Sequence, residues 1–356
     1  MSACRGHATP GRHRVEFVNC FALPRLDRPA ASKETRVAKV RISLIGELYD
    51  CVRALFDGTA KAQGVELVVT RSPSPEAMRR QLRAWEFDIC EMAFGAYLIA
   101  REQGADVTAI PVFPRRAFFH TGFAGHAHAP ITDPRDLAGK RIGVAEYVQS
   151  ATLWARGVLE RDFGLDPRRV HWHVERAGSG STGEVLGFKP PSGISVQQTP
   201  GGKSLVAMLA AGELDLALVG AGALASSDAA LRPLFADAVA EGKRYYGAHG
   251  YVPANHTYMV RGSLAREHPE LVANLWRGFL EARALAQQSL PQGRAPGVLF
   301  GSEELARTCA SFPADPYAYG VGPNRAMLET VVALCREQGL VRQAPPIEQL
   351  FVAGLD

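Results

Sequence analysis

The sequence of 356 residues predicts an α/β protein with two lobes and a ligand cleft between them. Strand-like runs alternate with helical runs along most of the chain, which is typical of largely parallel sheets. Hydrophobic residues make up 47% and charged residues 21% of the chain, an ordinary globular composition. A late strand, NHTYMV, follows the second set of βα units, so we expect the chain to return to the first lobe.

The first lobe is predicted to contain residues 39–130 and 245–356. PEAMRRQLRAWE places Met78, Leu82 and Trp85 on one face, as expected for an amphipathic helix. β-branched and apolar runs between polar boundaries predict the strands. The predicted elements are a strand at 37–48, a helix at 49–58, a strand at 65–70, a helix at 75–86, a strand at 87–94, a helix at 95–104 and a strand at 107–113.

The second lobe is predicted from residues 131–244. A turn and short strand at 133–147 lead into the helix SATLWARGVLERDFG and the strand VHWHVERA, and KSLVAMLAAGELDLALVG reads as a helix followed by a buried strand. The stretch at 177–202 is rich in Gly, Ser and Pro, so we expect irregular structure there. After the returning strand, the pattern predicts a long helix over PELVANLWRGFLEARALAQQ and a helical C-terminal region.

The positive charge lies in one terminal segment. The chain has a formal net charge of +4, whereas residues 1–39 hold 8 Lys and Arg against 3 Asp and Glu, or +5, which leaves −1 for the rest. This distribution does not favour nucleic-acid binding. Residues 1–38 are expected to be a disordered, dispensable tail.

Localisation follows from two negative observations. The sequence has no apolar run of 18 residues and no secretory signal, so no membrane association is expected. Its six cysteines form no CxxC pair, and we expect reduced thiols and a cytoplasmic protein, with homo-oligomers left open.

Polar residues after the predicted strands form the candidate site. Ligands of open α/β sheets bind beyond the carboxyl ends of the strands. Arginine binds carboxylates bidentately, aromatic rings stack on planar ligands, and histidine transfers protons near neutral pH. The set therefore suits a planar, anionic ligand, and the candidates are Arg53, Glu91, Tyr97, Arg115, Arg116, Phe118, His120, Tyr147, Gln149, Thr152, Asn255, His256 and Thr257.

Other chemistries find little support in the sequence. The histidine pairs at 126–128 and 171–173 have no third ligand in register, so no metal site is expected. GxSxG and GxGxxG motifs are absent, which argues against acyl transfer and dinucleotide chemistry. No cofactor is predicted.

Several segments together resemble the 4,5-dihydroxyphthalate decarboxylase family. They are YDCVRALFDG, EFDICEMAFGAYL, IPVFPRRAFFHTG, GKRIGVAEYVQSATLWARGVL, NHTYMV and DPYAYGVGPNRAMLE. The resemblance covers about residues 41–352. It implies a type II periplasmic-binding-protein-like fold and non-oxidative decarboxylation of a dihydroxylated benzene dicarboxylate without an organic cofactor. The matching positions are Arg53, Glu91, Tyr97, Arg116, Phe118, His120, Glu146, Tyr147, Trp154, Arg156, His256, Thr257, Tyr319 and Asn324.

Four positions depart from the family pattern. Arginine is usual where this chain has Cys51 and Phe119, serine is usual at Gly95, and a small residue is frequent at Arg115. The loss of two arginines leaves the identity of the aromatic acid open more than the type of reaction.

The chemistry of decarboxylation suggests roles for the candidates. Protonation of the ring carbon that carries the departing carboxylate requires a general acid over the ring. His256 or His120 is the predicted donor, and Tyr147 or Glu91 is predicted to polarise a ring hydroxyl. Arg116 is the predicted carboxylate anchor, assisted by Arg115 or Arg53; positions 116, 118 and 120 share a face if the segment is extended. The alternative is a cytosolic binding or sensor protein for an aromatic or other small carboxylate.

Overall fold

The computed structural model describes residues 39–128, 131–219, 231–289 and 315–356. The predicted tail at 1–38 lies outside the described residues. The first lobe begins with the predicted βα alternation, which is confirmed, and β1 pairs in parallel with β2 and β3. The elements are β1 (Val40–Gly46), α1 (Asp50–Phe56), β2 (Val65–Arg71), α2 (Ser74–Ala84), β3 (Ile89–Ala93), α3 (Phe94–Glu102) and β4 (Val107–Ile110).

Helix α2 ends two residues earlier than its apolar pattern suggests. Its buried side includes Ala77, Met78 and Leu82, as the periodicity predicts. Trp85 then adopts a left-handed backbone conformation with φ 51°, and its N–H donates to the carbonyl of Gln81. A left-handed residue is a common way to end a helix, and here the conformation falls on a tryptophan instead of a glycine.

The second sheet has the strand order β10-β5-β9-β6-β7-β8. β6, β7, β8 and β9 form its parallel part, and β5 runs antiparallel to both β9 and β10. Its elements are β5 (Phe123–His126), β6 (Arg141–Val144), α4 (Ser150–Phe163), β7 (His171–Val174), α5 (Thr182–Val185), β8 (Ser195–Gln198), α6 (Leu205–Ala210), β9 (Leu216–Leu218), β10 (Leu231–Pro233) and α7 (Ala238–His249).

Two features of this sheet differ from the sequence pattern. The stretch at 177–202 contains α5 and the strand β8, although its composition predicts irregular structure. β8 is stabilised by pairing with β7, and non-local pairing leaves no trace in local composition. The predicted lobe boundary at 130 also falls after β5, yet β5 pairs within the second sheet, so the first crossover lies before Phe123.

The chain then returns to the first sheet, as the late strand predicts. β11 (His256–Arg261) lies between β3 and β4 and runs antiparallel to both. It is followed by α8 (Gly262–Glu267), α9 (Pro269–Ser289) and, after an interval, α10 (Arg325–Glu337). Helix α9 packs on α1 over the face of the sheet that carries Leu44, Ile89 and Tyr258.

Helix α4 is deeply buried and packs closely on α10. A Cβ atom on Gly157 would lie 2.5 Å from Cδ2 of Leu334, so only glycine permits this approach of the two helices. The indole of Trp154 donates to the carbonyl of Ala254 at 2.8 Å and joins α4 to the segment that enters β11. These contacts fix the second lobe beside the strand that carries His256.

Candidate active site

A buried carboxylate, Glu91 on β3, is the centre of a hydrogen-bonded cluster. Glu91 is fully buried and accepts three hydrogen bonds. Oε1 lies 2.6 Å from Nδ1 of His256 and accepts from the hydroxyl of Tyr49 at 2.8 Å. Oε2 accepts from the backbone N–H of Glu47 at 2.8 Å. With Nδ1 held by the carboxylate, Nε2 is the ring nitrogen of His256 that can exchange a proton with a ligand.

Strand register explains why these residues meet. On the antiparallel pair β3–β11, Tyr258 is opposite Glu91 and His256 is opposite Ala93. Side chains alternate along strands, so His256 and Tyr258 share the sheet face of Glu91. β1 ends beside them at Gly46, where a Cβ would lie 3.2 Å from Cβ of Glu91 and 3.4 Å from its Oε2. The absence of a side chain at Gly46 therefore leaves room for the carboxylate.

Glu47 and Tyr49 extend the cluster toward the surface. The Tyr49 hydroxyl is 3.2 Å from Oε2 of Glu47. Burial, together with the negative charges of Glu91 and Glu47, raises the pKa of Tyr49, so its phenol stays protonated. Burial acts to raise the pKa of Glu47, but hydrogen bonds from Ser74 and Tyr49 and the charge of Arg115 lower it overall. Arg115 itself is exposed.

Arg116, the predicted carboxylate anchor, is bound by protein acceptors. It is 8% exposed, and its guanidinium donates to the carbonyls of Val252 at 3.0 Å and Ala318 at 2.7 Å and to Oδ1 of Asn324 at 2.6 Å. Burial lowers its pKa to about 10. Among the described residues its Nε has no partner. A role for Arg116 as an anchor therefore rests on Nε alone and stays a prediction.

His120 belongs to a separate buried cluster. Its Nε2 is 2.8 Å from Oε1 of Glu241 on α7, and Glu241 also pairs with Arg244. Burial lowers the pKa of His120 and outweighs the opposing effect of Glu241, which favours the neutral ring. The segment predicted as extended forms a 3-10 turn at Phe119–Gly122, so the expected common face of positions 116, 118 and 120 is wrong. Phe118 packs on Tyr245 near His120.

Tyr147 and Tyr97, two of the predicted site residues, lie outside the Glu91 cluster and contact other residues of the protein. The ring of Tyr147 lies beneath the guanidinium of Arg156, 3.7 Å from the ring centroid, and its hydroxyl is 3.5 Å from the carbonyl of Gln338. The hydroxyl of Tyr97 donates to the carbonyl of Leu350, and burial raises the pKa of Tyr97 to about 12. Neither tyrosine makes a described hydrogen bond to the Glu91 cluster.

The remaining predicted residues divide between surface and core. Arg53 is exposed and pairs with Asp50 at 3.0 Å. Thr257 donates to the carbonyl of Ile110 at 2.8 Å, and Asn255 is buried with Oδ1 unpaired among the described residues. Thr152 donates to Gln149 at 3.1 Å at the start of α4.

The structure shows the surroundings of two positions that depart from the family pattern, Gly95 and Cys51. A Cβ on Gly95 would lie 2.8 Å from Cδ2 of Leu340 and 2.9 Å from the carbonyl oxygen of Val148, so a serine does not fit here without a shift. Cys51 lies in the first turn of α1, with Sγ 3.5 Å from the carbonyl of Pro114. Burial raises the pKa of this thiol to about 11.

The sequence analysis did not select Tyr258. Side chains alternate along a strand, so Tyr258, two residues after His256 in NHTYMV, could have been identified as lying on the same face. It also missed Glu241, whose contact with His120 spans 121 residues and leaves no local signal.

Within the described ranges, no group of three or more His, Cys, Asp or Glu side chains has the arrangement of a metal site. None of the helices described is long and apolar enough to cross a membrane.

The two sheets, and the return of the chain to the first of them, define a protein with the two-lobed fold of periplasmic binding proteins. A family model described as ABC transporter, phosphonate, periplasmic substrate-binding protein matches residues 47–186. The chain resembles the periplasmic aliphatic sulphonate binding protein SsuA from Escherichia coli, with a TM-score of 0.55, 16% identity and coverage of 88% of this chain and 92% of that one. It also resembles the desulfurization enzyme DSZB, with a TM-score of 0.53, 17% identity and coverage of 88% and 97%. The predicted fold class is confirmed.

Curated relatives identify the family. A 4,5-dihydroxyphthalate decarboxylase of Comamonas testosteroni is 30% identical over 327 residues, which is 90% of this chain and 99% of that protein. A 4,5-dihydroxyphthalate decarboxylase of Pseudomonas putida is 37% identical over 180 residues, or 50% of this chain and 69% of that protein. The chain belongs to the 4,5-dihydroxyphthalate decarboxylase family, so the predicted family resemblance and the prediction of a carboxy-lyase are confirmed.

Proposed function

We propose that this enzyme decarboxylates a hydroxylated, phthalate-like aromatic acid without oxidation, with His256 as the proton donor. The observation that carries the assignment is the 2.6 Å contact between Nδ1 of His256 and the buried carboxylate of Glu91. A carboxylate at Nδ1 orients the ring and leaves Nε2 as the nitrogen that can donate a proton to a ligand.

The proposed reaction transfers one proton and breaks one bond. The proton from Nε2 of His256 adds to the ring carbon that carries the departing carboxylate, and a ring hydroxyl donates electron density to that carbon. The bond to the carboxylate then breaks, CO2 leaves, and the electron pair of that bond restores the aromatic ring. Acid catalysis of this kind contributes roughly 10²–10⁴-fold to the rate.

His256 is favoured over His120 by its surroundings. The carboxylate beside His120 is shared with Arg244, and burial lowers the pKa of His120, so its charged form is scarce at neutral pH. Tyr147 is less suited as an acid, because burial raises the pKa of its phenol.

Arg115 is the cation best placed to receive the retained carboxylate. It is exposed, its side chain has no hydrogen-bond partner among the described residues, and its charge acts on Glu47 and Tyr49. Arg53, in contrast, is paired with Asp50. An arginine at the edge of the cluster binds a carboxylate and leaves the reacting carbon near His256.

The test compares two histidine variants on a panel of hydroxylated phthalates and hydroxybenzoates, with CO2 release as the assay. His256→Asn should lower kcat by roughly 10²–10⁴-fold and change ligand affinity by less than about tenfold. His120→Asn is the matched control, since it removes a second buried imidazole paired with a glutamate; its turnover per folded molecule should stay within about threefold of wild type.

Two results would contradict the proposal. Full turnover by His256→Asn removes this residue as the acid. Tight binding of an aromatic acid by the wild type, with no CO2 released from any member of the panel, favours a binding or sensor protein.

A further inference from the structure

Glu146 and Arg176 form a charged pair just beyond two neighbouring strands of the second sheet. β6 ends at Val144 and β7 ends at Val174, so each residue of the pair lies two positions after its strand. NH1 of Arg176 is 3.0 Å from Oε1 of Glu146. Ligands of open α/β sheets bind beyond the carboxyl ends of the strands. The pair therefore lies at the ligand-binding end of the second sheet.

The segment after β6 contacts the first lobe close to the Glu91 cluster. Four residues after Glu146, the hydroxyl of Ser150 accepts from the N–H of Gly95 at 3.3 Å. Gly95 lies in the first turn of α3, four residues after Glu91 on β3. The end of β6 thus faces the end of the strand that carries the buried carboxylate of the proposed site.

The segment after β7 contacts the first lobe as well. The guanidinium of Arg79 on α2 donates to the carbonyl of Gly180, in the loop that follows β7, at 3.2 Å. Helix α2 begins beside the Glu91 cluster, because the N–H of Ser74 donates to Oε2 of Glu47 at 3.2 Å. The two segments that carry the charged pair therefore border the space between the lobes, across from the Glu91 cluster.

Arg176 has donors left for a ligand. Its side chain is 29% exposed, whereas that of Glu146 is 3% exposed. Oε2 of the glutamate is bound by three donors of the following loop, the hydroxyl of Ser181 at 3.1 Å and the N–H groups of Thr182 and Gly183 at 2.7 and 3.1 Å. Nε and NH2 of Arg176 have no hydrogen-bond partner among the described residues. These two nitrogens form one edge of the guanidinium, and such an edge binds a carboxylate bidentately.

We propose that Arg176 binds the retained carboxylate of the substrate from the second lobe, while Arg115 binds it from the crossover segment. The inference rests on the proposed function and adds a binding residue to it. The departing carboxylate is the less suitable partner. An arginine there stabilises the negative charge that is lost when CO2 leaves, so it favours the ground state over the transition state and slows the reaction.

Arg176→Gln tests this role, and Arg141→Gln is the matched control. Arg141 also belongs to the second lobe and pairs with an acid, Asp215, at 2.8 Å, but it lies at the start of β6, the opposite end of that strand. The probes are benzoate with one carboxylate, phthalate with two and benzamide with none, and all three lack the ring hydroxyl that the proposed reaction needs. Dissociation constants are measured by titration calorimetry at one ionic strength, and the melting temperature verifies that each variant is folded.

The expected result is specific to the carboxylate. Arg176→Gln should bind benzoate and phthalate about 5- to 30-fold more weakly, the effect of a charge-assisted contact reduced by partial exposure, and benzamide within about twofold of wild type. Arg176→Lys keeps the charge but not the planar fork, so its affinity for both acids should lie between those of wild type and Arg176→Gln. Arg141→Gln should bind all three probes as wild type does.

Three results would overturn the assignment. They are unchanged binding of both acids by Arg176→Gln, equal weakening by Arg141→Gln, and weaker binding of phthalate with unchanged binding of benzoate, which would place Arg176 at the departing carboxylate. Failure of the proposed function is a separate outcome, because binding is measured without turnover. Wild-type protein that releases no CO2 but binds benzoate through Arg176 keeps this contact and loses the reaction. CO2 release by Arg176→Gln with the wild-type KM keeps the reaction and removes the contact.

Discussion

Replacing Glu91 by glutamine tests the buried carboxylate on which the proposed site depends. The substitution preserves size, removes the negative charge and turns one acceptor oxygen into an NH2 donor. Both carboxylate oxygens accept hydrogen bonds, from His256 and Tyr49 at Oε1 and from the N–H of Glu47 at Oε2. An amide therefore leaves at least one buried donor unpaired, and the free energy of unfolding should fall by about 1–3 kcal/mol.

The catalytic effect should be larger than this change in stability. Opposite charges about 4 Å apart attract by about 4 kcal/mol at an effective dielectric constant of about 20. If this attraction is lost in full, the reaction rate falls by roughly a thousandfold. Without the carboxylate, the imidazole of His256 loses the partner that holds Nδ1 and orients the ring. We expect kcat to fall by roughly 10²–10³-fold.

The assay is CO2 release by wild type, Glu91→Gln and Glu241→Gln. Glu241→Gln makes the same chemical change beside the other buried histidine, His120, and should leave kcat close to the wild-type value. The reasoning is refuted if Glu91→Gln keeps the wild-type kcat, or if both variants lower kcat equally.

Two further predictions concern stability. Gly157→Ala should lower the free energy of unfolding by about 1–3 kcal/mol in chemical denaturation, because the new methyl group would overlap Leu334; a neutral result would mean that α4 and α10 can separate freely. Burial lowers the pKa of His120 below its ordinary 6.5, so its contribution to stability is present above that value and lost as the pH falls through the folded value. The melting temperature should therefore fall between about pH 7 and 5, and less steeply in His120→Asn; equal slopes would assign the acid sensitivity to other groups.

The local sequence pattern was sufficient to predict most helices and strands of the first lobe. It also identified the types of residue that are available for the candidate site. The apolar periodicity of α2 and the apolar and β-branched runs of β1 and β2 are properties of short segments of sequence. The returning strand was visible because NHTYMV contains the strand-favouring residues Thr, Tyr and Val. These properties depend on neighbours in sequence, and a local pattern records them.

Only the tertiary structure determined which residues that are distant in sequence contact each other. Glu91 and His256 are 165 positions apart, and the antiparallel register of β3 with β11 brings them together. His120 stands only four positions after Arg116 in sequence, but a 3-10 turn separates their contacts, and His120 pairs with Glu241. Composition indicated that histidine, arginine and carboxylate groups are available. Which of them meet depends on strand register and burial, because these set the distances and the solvation that determine the chemistry of a site.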